Sequence, residues 1–212
     1  MREATTRFPS IARGAGLIAI VTATLANASA SDTTGAIPHP QIAYAGTYSY
    51  SDELGGFAIV ASGGNGTRDD PVVIQQELFS ASAVTMVIRA ARPIRPFDHS
   101  GLYASGFIHM RLEILNNSGV AWQEVELELQ ERLGESSVFS DGLSFDQRRT
   151  DSANVHSSHF RKWDRDFEPY DRLLFEDGSV DPREIVTLGF FVTDFTPRWV
   201  FYLRIDPRIP FS

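Results

Sequence analysis

The sequence predicts an all-β protein, an antiparallel β-sandwich, on three observations. Short apolar segments recur along the chain, several of them alternate apolar and polar residues, and Gly, Pro, Asn and Asp separate them. Alternation with period two is typical of strands that bury one face. The chain shows no helical heptads, internal repeats or βαβ pattern, so a parallel α/β enzyme is a poor candidate.

The first thirty residues, 1–30, are predicted to be a secretory signal peptide. Three arginines precede the apolar stretch 14–26, and a triplet of small residues ends at Ala30, which is the order of features in export signals. The apolar stretch is shorter than the roughly 20 residues that span a bilayer. We therefore expect cleavage after Ala30, no integral membrane segment in the mature chain, and a periplasmic or secreted location in a bacterium.

Residues 31–46 are predicted to form a flexible leader, because Thr, Pro, Gly and Ala dominate and Pro38 and Pro40 prevent a helix. Residues 47–212 then form a single β-sandwich domain with a real core. The formal net charge is −8 and the chain has no cysteine. A basic nucleic-acid surface is therefore disfavoured, and disulfides, thiolate metal sites and cysteine nucleophiles are excluded.

Two neighbouring segments show the alternation clearly, and their parity assigns their faces. The residues expected in the core are Ile108, Met110, Leu112, Ile114, Val125, Leu127 and Leu129. The solvent face of the second segment is expected to carry Glu124, Glu126 and Glu128. The intervening residues 116–119, NNSG, tolerate positive φ in tight turns. We therefore expect a β-hairpin of two adjacent antiparallel strands.

Trp122 does not share the parity of the segment that follows it. A bulge near Gln123 would turn its ring inward, whereas without a bulge the ring lies on the outer face. Large aromatic side chains dominate sandwich cores, so we expect Trp122 to pack between two sheets. Two later rows are also expected in the core: Val186, Leu188, Phe190, Val192, and then Phe201, Leu203, Ile205.

The segments RLEILNNSGVAWQEVELELQE (111–131) and VDPREIVTLGFFV (180–192) resemble bacterial extracytoplasmic immunoglobulin-like β-sandwich domains. In those domains a strand, an Asn/Ser/Gly turn and a Trp-bearing strand are followed later by a Pro-x-Glu turn into a core strand. The resemblance implies an adhesion, spacer or ligand-binding module without catalytic residues. The chain departs from the family pattern in the long polar segment between the two matches.

That segment, Arg132 to Tyr170, is longer than the structureless loops usual in compact domains. Its aromatic residues, which include Phe160, Trp163 and Phe167, are more numerous than in a disordered stretch. We expect a partly ordered excursion that packs on the sandwich, with a short strand at Leu143 to Phe145. Any functional site is predicted to lie in this excursion, because irregular segments on rigid sheets commonly carry binding groups.

A divalent-metal site is one hypothesis for the excursion. His156 and His159 are three residues apart, and Asp164 and Asp166 follow them. Imidazole and carboxylate groups are ligands of zinc and other divalent metals. The alternative is a solvated polar loop in which Arg and Asp side chains pair.

Glycan recognition is a second hypothesis for the excursion. Trp163 and Tyr170 would stack on sugar rings if they were displayed, with Arg161 and Arg165 beside them as hydrogen-bond donors. The alternative is that Trp163 pins the excursion to the core, since buried aromatics outnumber displayed ones.

The sequence favours an exported, non-enzymatic binding or structural module whose partner is an unknown envelope protein or glycan. No cofactor is predicted, apart from the divalent metal of the first hypothesis. The alternative function is a hydrolase, metal-dependent or other, that uses the segment from His156 to Asp171.

Overall fold

The computed structural model describes residues 40–138, 140–146 and 152–209; the predicted signal peptide lies outside these residues, as does most of the predicted leader. The strands, in chain order, are β1 Ile42–Ala45, β2 Tyr48–Ser51, β3 Phe57–Gly63, β4 Val72–Leu78, β5 Val84–Ala90, β6 Phe107–Asn116, β7 Glu124–Gln130, β8 Leu143–Phe145, β9 His156–Ser157, β10 Lys162–Asp164, β11 Arg172–Glu176, β12 Ile185–Asp194 and β13 Val200–Arg208. A 3₁₀ turn spans Ser152–Asn154. Strand β1, at Ile42–Ala45, lies within the range of the predicted leader. Within the described ranges, no helix has the length and apolarity needed to cross a membrane.

The strands form two sheets, which confirms the all-β, two-layer prediction. Sheet A has the order β1-β2-β5-β13-β7-β11-β10 and is antiparallel throughout. Sheet B has the order β3-β4-β6-β12-β8, and β9 also pairs with β12. Sheet B is mixed rather than antiparallel, because β4 and β6 run parallel. Side chains from both sheets join in one hydrophobic core.

The predicted core rows are confirmed. The inward-facing residues of β6, β7, β12 and β13 are all buried: Ile108, Met110, Leu112, Ile114, Val125, Leu127, Leu129, Val186, Leu188, Phe190, Val192, Phe201, Leu203 and Ile205. Period-two alternation therefore identified the core-facing side chains correctly on all four strands, because successive side chains of a strand point to opposite faces.

The predicted hairpin between β6 and β7 is wrong. Strand β6 lies in sheet B between β4 and β12, whereas β7 lies in sheet A between β13 and β11. The turn at 116–119 therefore carries the chain from one sheet to the other. Parity does not distinguish the two arrangements, because facing sheets direct both apolar rows into the same core.

Asn116 holds this corner together from a fully buried position. Its Nδ2 donates to the carbonyl oxygens of Val120 and Val180, both at 2.9 Å. Its Oδ1 accepts hydrogen bonds from the Ser118 backbone N–H at 3.1 Å and from Ser118 Oγ at 2.6 Å. Four hydrogen bonds satisfy the amide, which offsets the cost of burying it.

Trp122 is fully buried, which confirms its predicted place in the core. Two residues, Gln123 and Glu124, separate it from inward-facing Val125, so strict alternation is interrupted where the bulge was predicted. The Trp122 backbone pairs with Val180 rather than with the partners of β7, and Trp122 Nε1 donates to Ser118 Oγ at 3.0 Å.

The predicted solvent face of β7 is corrected, because Glu126 and Glu128 are only 3% and 4% exposed. Arginines on the neighbouring strands cover both carboxylates. Arg208 Nη2 lies 2.5 Å from Glu126 Oε2, and Arg172 Nε lies 2.8 Å from Glu128 Oε2. The long arginine stems shield the acids from water while the guanidinium groups remain partly exposed.

The predicted excursion is an integral part of both sheets. Its short strand at Leu143–Phe145 is confirmed as β8, which extends sheet B, and β10 extends sheet A. Leu143, Phe145 and Phe160 belong to the hydrophobic core, against which Trp163 packs. The excursion thus completes the sandwich instead of resting on it.

Candidate functional site

The four residues predicted to bind a metal have separate partners. The ring of His156 covers Gly189, where a Cβ atom would lie 1.9 Å from His156 Cε1. His159 shares a 2.7 Å hydrogen bond between Nδ1 and Ser158 Oγ, and its Nε2 lies 3.5 Å from Glu184 Oε2. Asp164 Oδ1 accepts from the Asp166 backbone N–H at 2.8 Å. Across residues 40–138, 140–146 and 152–209, no group of three or more His, Asp or Glu is placed to hold a metal ion.

The four residues predicted to bind a glycan are likewise held by contacts within the chain. Trp163 is half-buried against the core. Arg161 pairs with Asp177 at 2.7 Å, and Arg165 Nη1 donates to the Asp146 carbonyl oxygen at 3.2 Å. Tyr170 is exposed, with the Arg172 guanidinium 5.3 Å above its ring centroid.

A row of aromatic rings crosses the outer face of sheet B. His109 on β6 stacks on Phe191 on β12, and Phe107, also on β6, stacks with Phe191 with ring centroids 6.2 Å apart. Phe195 and Phe97 continue the row beyond Phe107. Phe107, His109 and Phe191 have the opposite parity to the core residues of their strands, so they lie on the side of the sheet that faces away from the core. Each ring is only partly buried or is exposed.

Two loops rise beside this row and enclose a cleft of about 370 Å³. The first loop is a tight turn in which the backbone N–H groups of Asn65, Gly66 and Thr67 all point to the Asp70 carbonyl oxygen. The second loop includes Asp98, whose Oδ1 accepts from the Ser100 backbone N–H at 2.8 Å. The polar residues that line the cleft include Thr67, Arg68, Asp98, His99, Tyr103 and Ser105.

The first loop is attached to the sheet at the aromatic row, because the His109 backbone N–H donates to the Gly66 carbonyl oxygen at 2.9 Å. This bond places the Arg68 side chain near the His109 ring. Burial lowers the pKa of His109, and the positive charge of Arg68 lowers it further, while the carboxylates of Asp146 and Asp69 oppose the shift. His109 is therefore mainly neutral at pH 7.

Arg68 has an unusual set of partners. Its Nη2 donates to Asn154 Oδ1 at 2.7 Å, and Asn154 Nδ2 donates in turn to Asp146 Oδ2 at 2.6 Å. Within the described ranges Arg68 forms no ion pair, although Asp69 and Asp70 follow it directly. The guanidinium is thus oriented by a neutral amide and its charge is not matched by a contacting carboxylate.

The outer face of sheet A behaves differently. Its arginines pair with carboxylates on the same face: Arg89 with Glu53, Arg172 with Glu128, Arg204 with Asp206, and Arg208 with Glu126. Because these arginines are paired with carboxylates of the protein, they are less available than Arg68 to bind a charged ligand.

A second polar cluster lies at the edge of the sandwich, where buried Asp171 and Asp194 meet Asp141. Burial is the main cause that raises the pKa of each buried aspartic acid to about 6, and the charge of Asp141 adds to both shifts. Among described residues, Asp171 Oδ2 and the Oγ of fully buried Ser144 lack hydrogen-bond partners. The Ser144 hydroxyl lowers the Asp171 pKa and so opposes part of the rise. Asp171, Asp194 and Ser144 are buried and so are poorly placed to contact a ligand.

The cleft lies outside the excursion in which the sequence predicted the site, and sequence reasoning missed Arg68, Phe107, His109 and Phe191. One signal was present: Phe107 and Phe191 occupy the polar parity of two strands whose other face is core. No protein-family model, curated protein or solved structure matches this chain.

Proposed function

We propose that the protein is an exported, non-enzymatic binding module of the bacterial cell envelope, with an immunoglobulin-like sandwich as its scaffold, and that it binds a glycan in the cleft on sheet B. The observation that carries the proposal is the combination of aromatic rings, an uncompensated arginine and hydroxyl groups on a face that is not needed for the core. Aromatic side chains displayed beside converging polar groups are typical of ligand sites.

The dimensions and lining of the cleft favour a small polar ligand over a protein surface. Its volume of about 370 Å³ is in the range of small-molecule sites. Thr67, Tyr103 and Ser105 supply hydroxyl groups, and Asp98 supplies a carboxylate that accepts hydrogen bonds. Sugar hydroxyl groups need such a mixture, since each of them both donates and accepts.

The alternative hydrolase has less support. The histidines of the segment from His156 to Asp171 are held by Gly189, Ser158 and Glu184, and Asp171 is only 6% exposed. A general acid or base has to come within hydrogen-bond reach of the proton that it transfers.

The test is a titration of the ¹⁵N-labelled protein, purified after export from a bacterial host, with cellotetraose, mannotetraose and tetragalacturonate. Binding in the cleft should shift the amide resonances of Thr67, Arg68, His109 and Phe191 in a saturable way. Shifts confined to the segment Arg161 to Tyr170 would overturn the assignment of the site, and no saturable shift with any probe would overturn the glycan proposal.

A further inference from the structure

We infer, resting on the proposed function, that the cleft selects a glycan that carries a carboxylate, and that Arg68 is the residue that recognises this group. An arginine guanidinium has five N–H donors in a planar fork that matches the two oxygens of a carboxylate. One nitrogen of the Arg68 guanidinium, Nη2, already donates to Asn154 Oδ1. The remaining donors form no ion pair in the part of the chain that the structure describes.

The Arg68 side chain is positioned before any ligand arrives. Asn154 accepts from its Nη2, and Asp146, which is buried, accepts from Asn154. The backbone beneath it is tied by the turn onto the Asp70 carbonyl oxygen. An oriented guanidinium loses less conformational entropy on binding than a free one, so more of the ion-pair energy appears as affinity.

None of the nearby acidic residues Asp69, Asp70 and Asp146 forms an ion pair with Arg68 in the described residues. Asp70 accepts from Asn65 Nδ2 at 2.6 Å, which directs its carboxylate into the turn. Asp69 is exposed and forms no ion pair with Arg68 in the described residues, and Asp146 meets Asn154 instead. On sheet A, by contrast, Arg89, Arg172, Arg204 and Arg208 each contact a carboxylate of the protein.

An acidic glycan suits the cleft better than an acidic peptide. The rings of Phe107, Phe191 and His109 stack on one another and are each partly buried, so they form one wall of the cleft rather than a separate apolar socket for a peptide side chain. The other lining groups are hydroxyls, the His99 imidazole and the Asp98 carboxylate. They match a ligand that is rich in hydroxyl groups and carries an acidic group at one end.

The experiment compares tetragalacturonate with its full methyl ester, which keeps the sugar rings and removes the charge. Isothermal titration calorimetry with the exported protein should show at least ten-fold tighter binding of the acid form. Arg68→Gln should abolish this preference while keeping the weaker binding of the ester. Arg89→Gln is the matched control, because it removes an arginine of sheet A that pairs with Glu53, and it should leave the preference intact.

The outcomes separate the two proposals. Equal affinities for acid and ester would overturn the role of Arg68 and leave glycan binding standing. An unchanged preference in Arg68→Gln would also overturn that role. Binding of hexaglutamate with the affinity of tetragalacturonate, lost in Arg68→Gln, would replace the glycan by an acidic peptide. No binding of tetragalacturonate or its ester would overturn the role of Arg68, and the glycan proposal would fall as well if cellotetraose and mannotetraose also failed to bind.

Discussion

His109 and Phe191 stack across the paired strands β6 and β12, with ring centroids 4.1 Å apart and ring planes 17° apart. They are register partners on the outer face of sheet B. The contact removes part of the imidazole from water, and that burial is the main reason for its lowered pKa.

Phe191→Ala should therefore raise the His109 pKa toward the ordinary value, because water regains access to the ring. The Cε1–H resonance of His109, followed by NMR from pH 4 to 8, reports this directly. Ile185→Ala, which trims an exposed residue on the same strand, serves as the control and should leave the titration unchanged. If the two variants titrated alike, the stacking contact would not be the source of the burial.

The stability of the protein should depend on the ionisation of Asp171. Its pKa rises from 3.8 to about 6 on folding, so the folded state holds the proton more tightly than the unfolded chain. The stabilising contribution of this proton is complete below about pH 4 and is lost as the pH rises through about 6. Asp171→Asn should therefore be more stable than the parent protein at pH 8 and lose that advantage at pH 4.

Urea unfolding at these two pH values checks the prediction for Asp171. Asp177→Asn is an informative control, since pairing with Arg161 lowers the pKa of exposed Asp177. Its ionised form contributes stability above the unfolded pKa, so this substitution should have the opposite pH dependence. An Asp171→Asn variant that loses stability equally at both pH values would contradict the protonation account.

Gln76 on β4 is only 2% exposed, and neither atom of its side-chain amide has a hydrogen-bond partner within the described residues. A buried unsatisfied polar group costs about 1–3 kcal/mol. Gln76→Met keeps the shape and removes the polar atoms, so it should raise the free energy of unfolding by an amount of that order. Gln75→Met, on the exposed side of the same strand, should not. Destabilisation by Gln76→Met would show that water satisfies the amide.

Alternation alone places Glu126 on a solvent face, where its removal would have little effect on stability. Its burial under arginines predicts a larger effect. Glu126→Ala should lower the free energy of unfolding by about 1–3 kcal/mol, because it removes charged hydrogen bonds from a buried site. Glu135→Ala, whose side chain is 69% exposed, should change it by less than about 0.5 kcal/mol.

Leu127→Ala provides the scale for these measurements. Because the Leu127 side chain is fully buried, its truncation should lower the free energy of unfolding by about 2–5 kcal/mol, through lost transfer energy and the cavity left behind. Denaturant titrations of the three variants should therefore rank Leu127→Ala first and Glu135→Ala last. Equal effects of Glu126→Ala and Glu135→Ala would mean that the arginine cover does not exclude water.

The sequence by itself determined which residues of β6, β7, β12 and β13 face the core. Leu112, Leu127 and Leu188 are buried as their parity predicts, and Leu143 to Phe145 forms the expected short strand. These properties are local, because a strand's side chains alternate whatever its neighbours are. The turn at 116–119 is also local, and it joins β6 to the segment that enters sheet A.

Only the tertiary structure decided which strands are neighbours and what the outer faces carry. Strand β6 pairs with β12 and not with β7. The apolar rows of β6 and β7 meet across the core from opposite sheets, and parity does not show whether two strands share a sheet. Glu126 is buried because Arg208, from β13, covers it. The cleft likewise joins Arg68, His109 and Phe191, which are far apart in the chain and meet only through the register of sheet B and one loop hydrogen bond. Contacts between distant residues follow from the whole packing, and no local pattern encodes them.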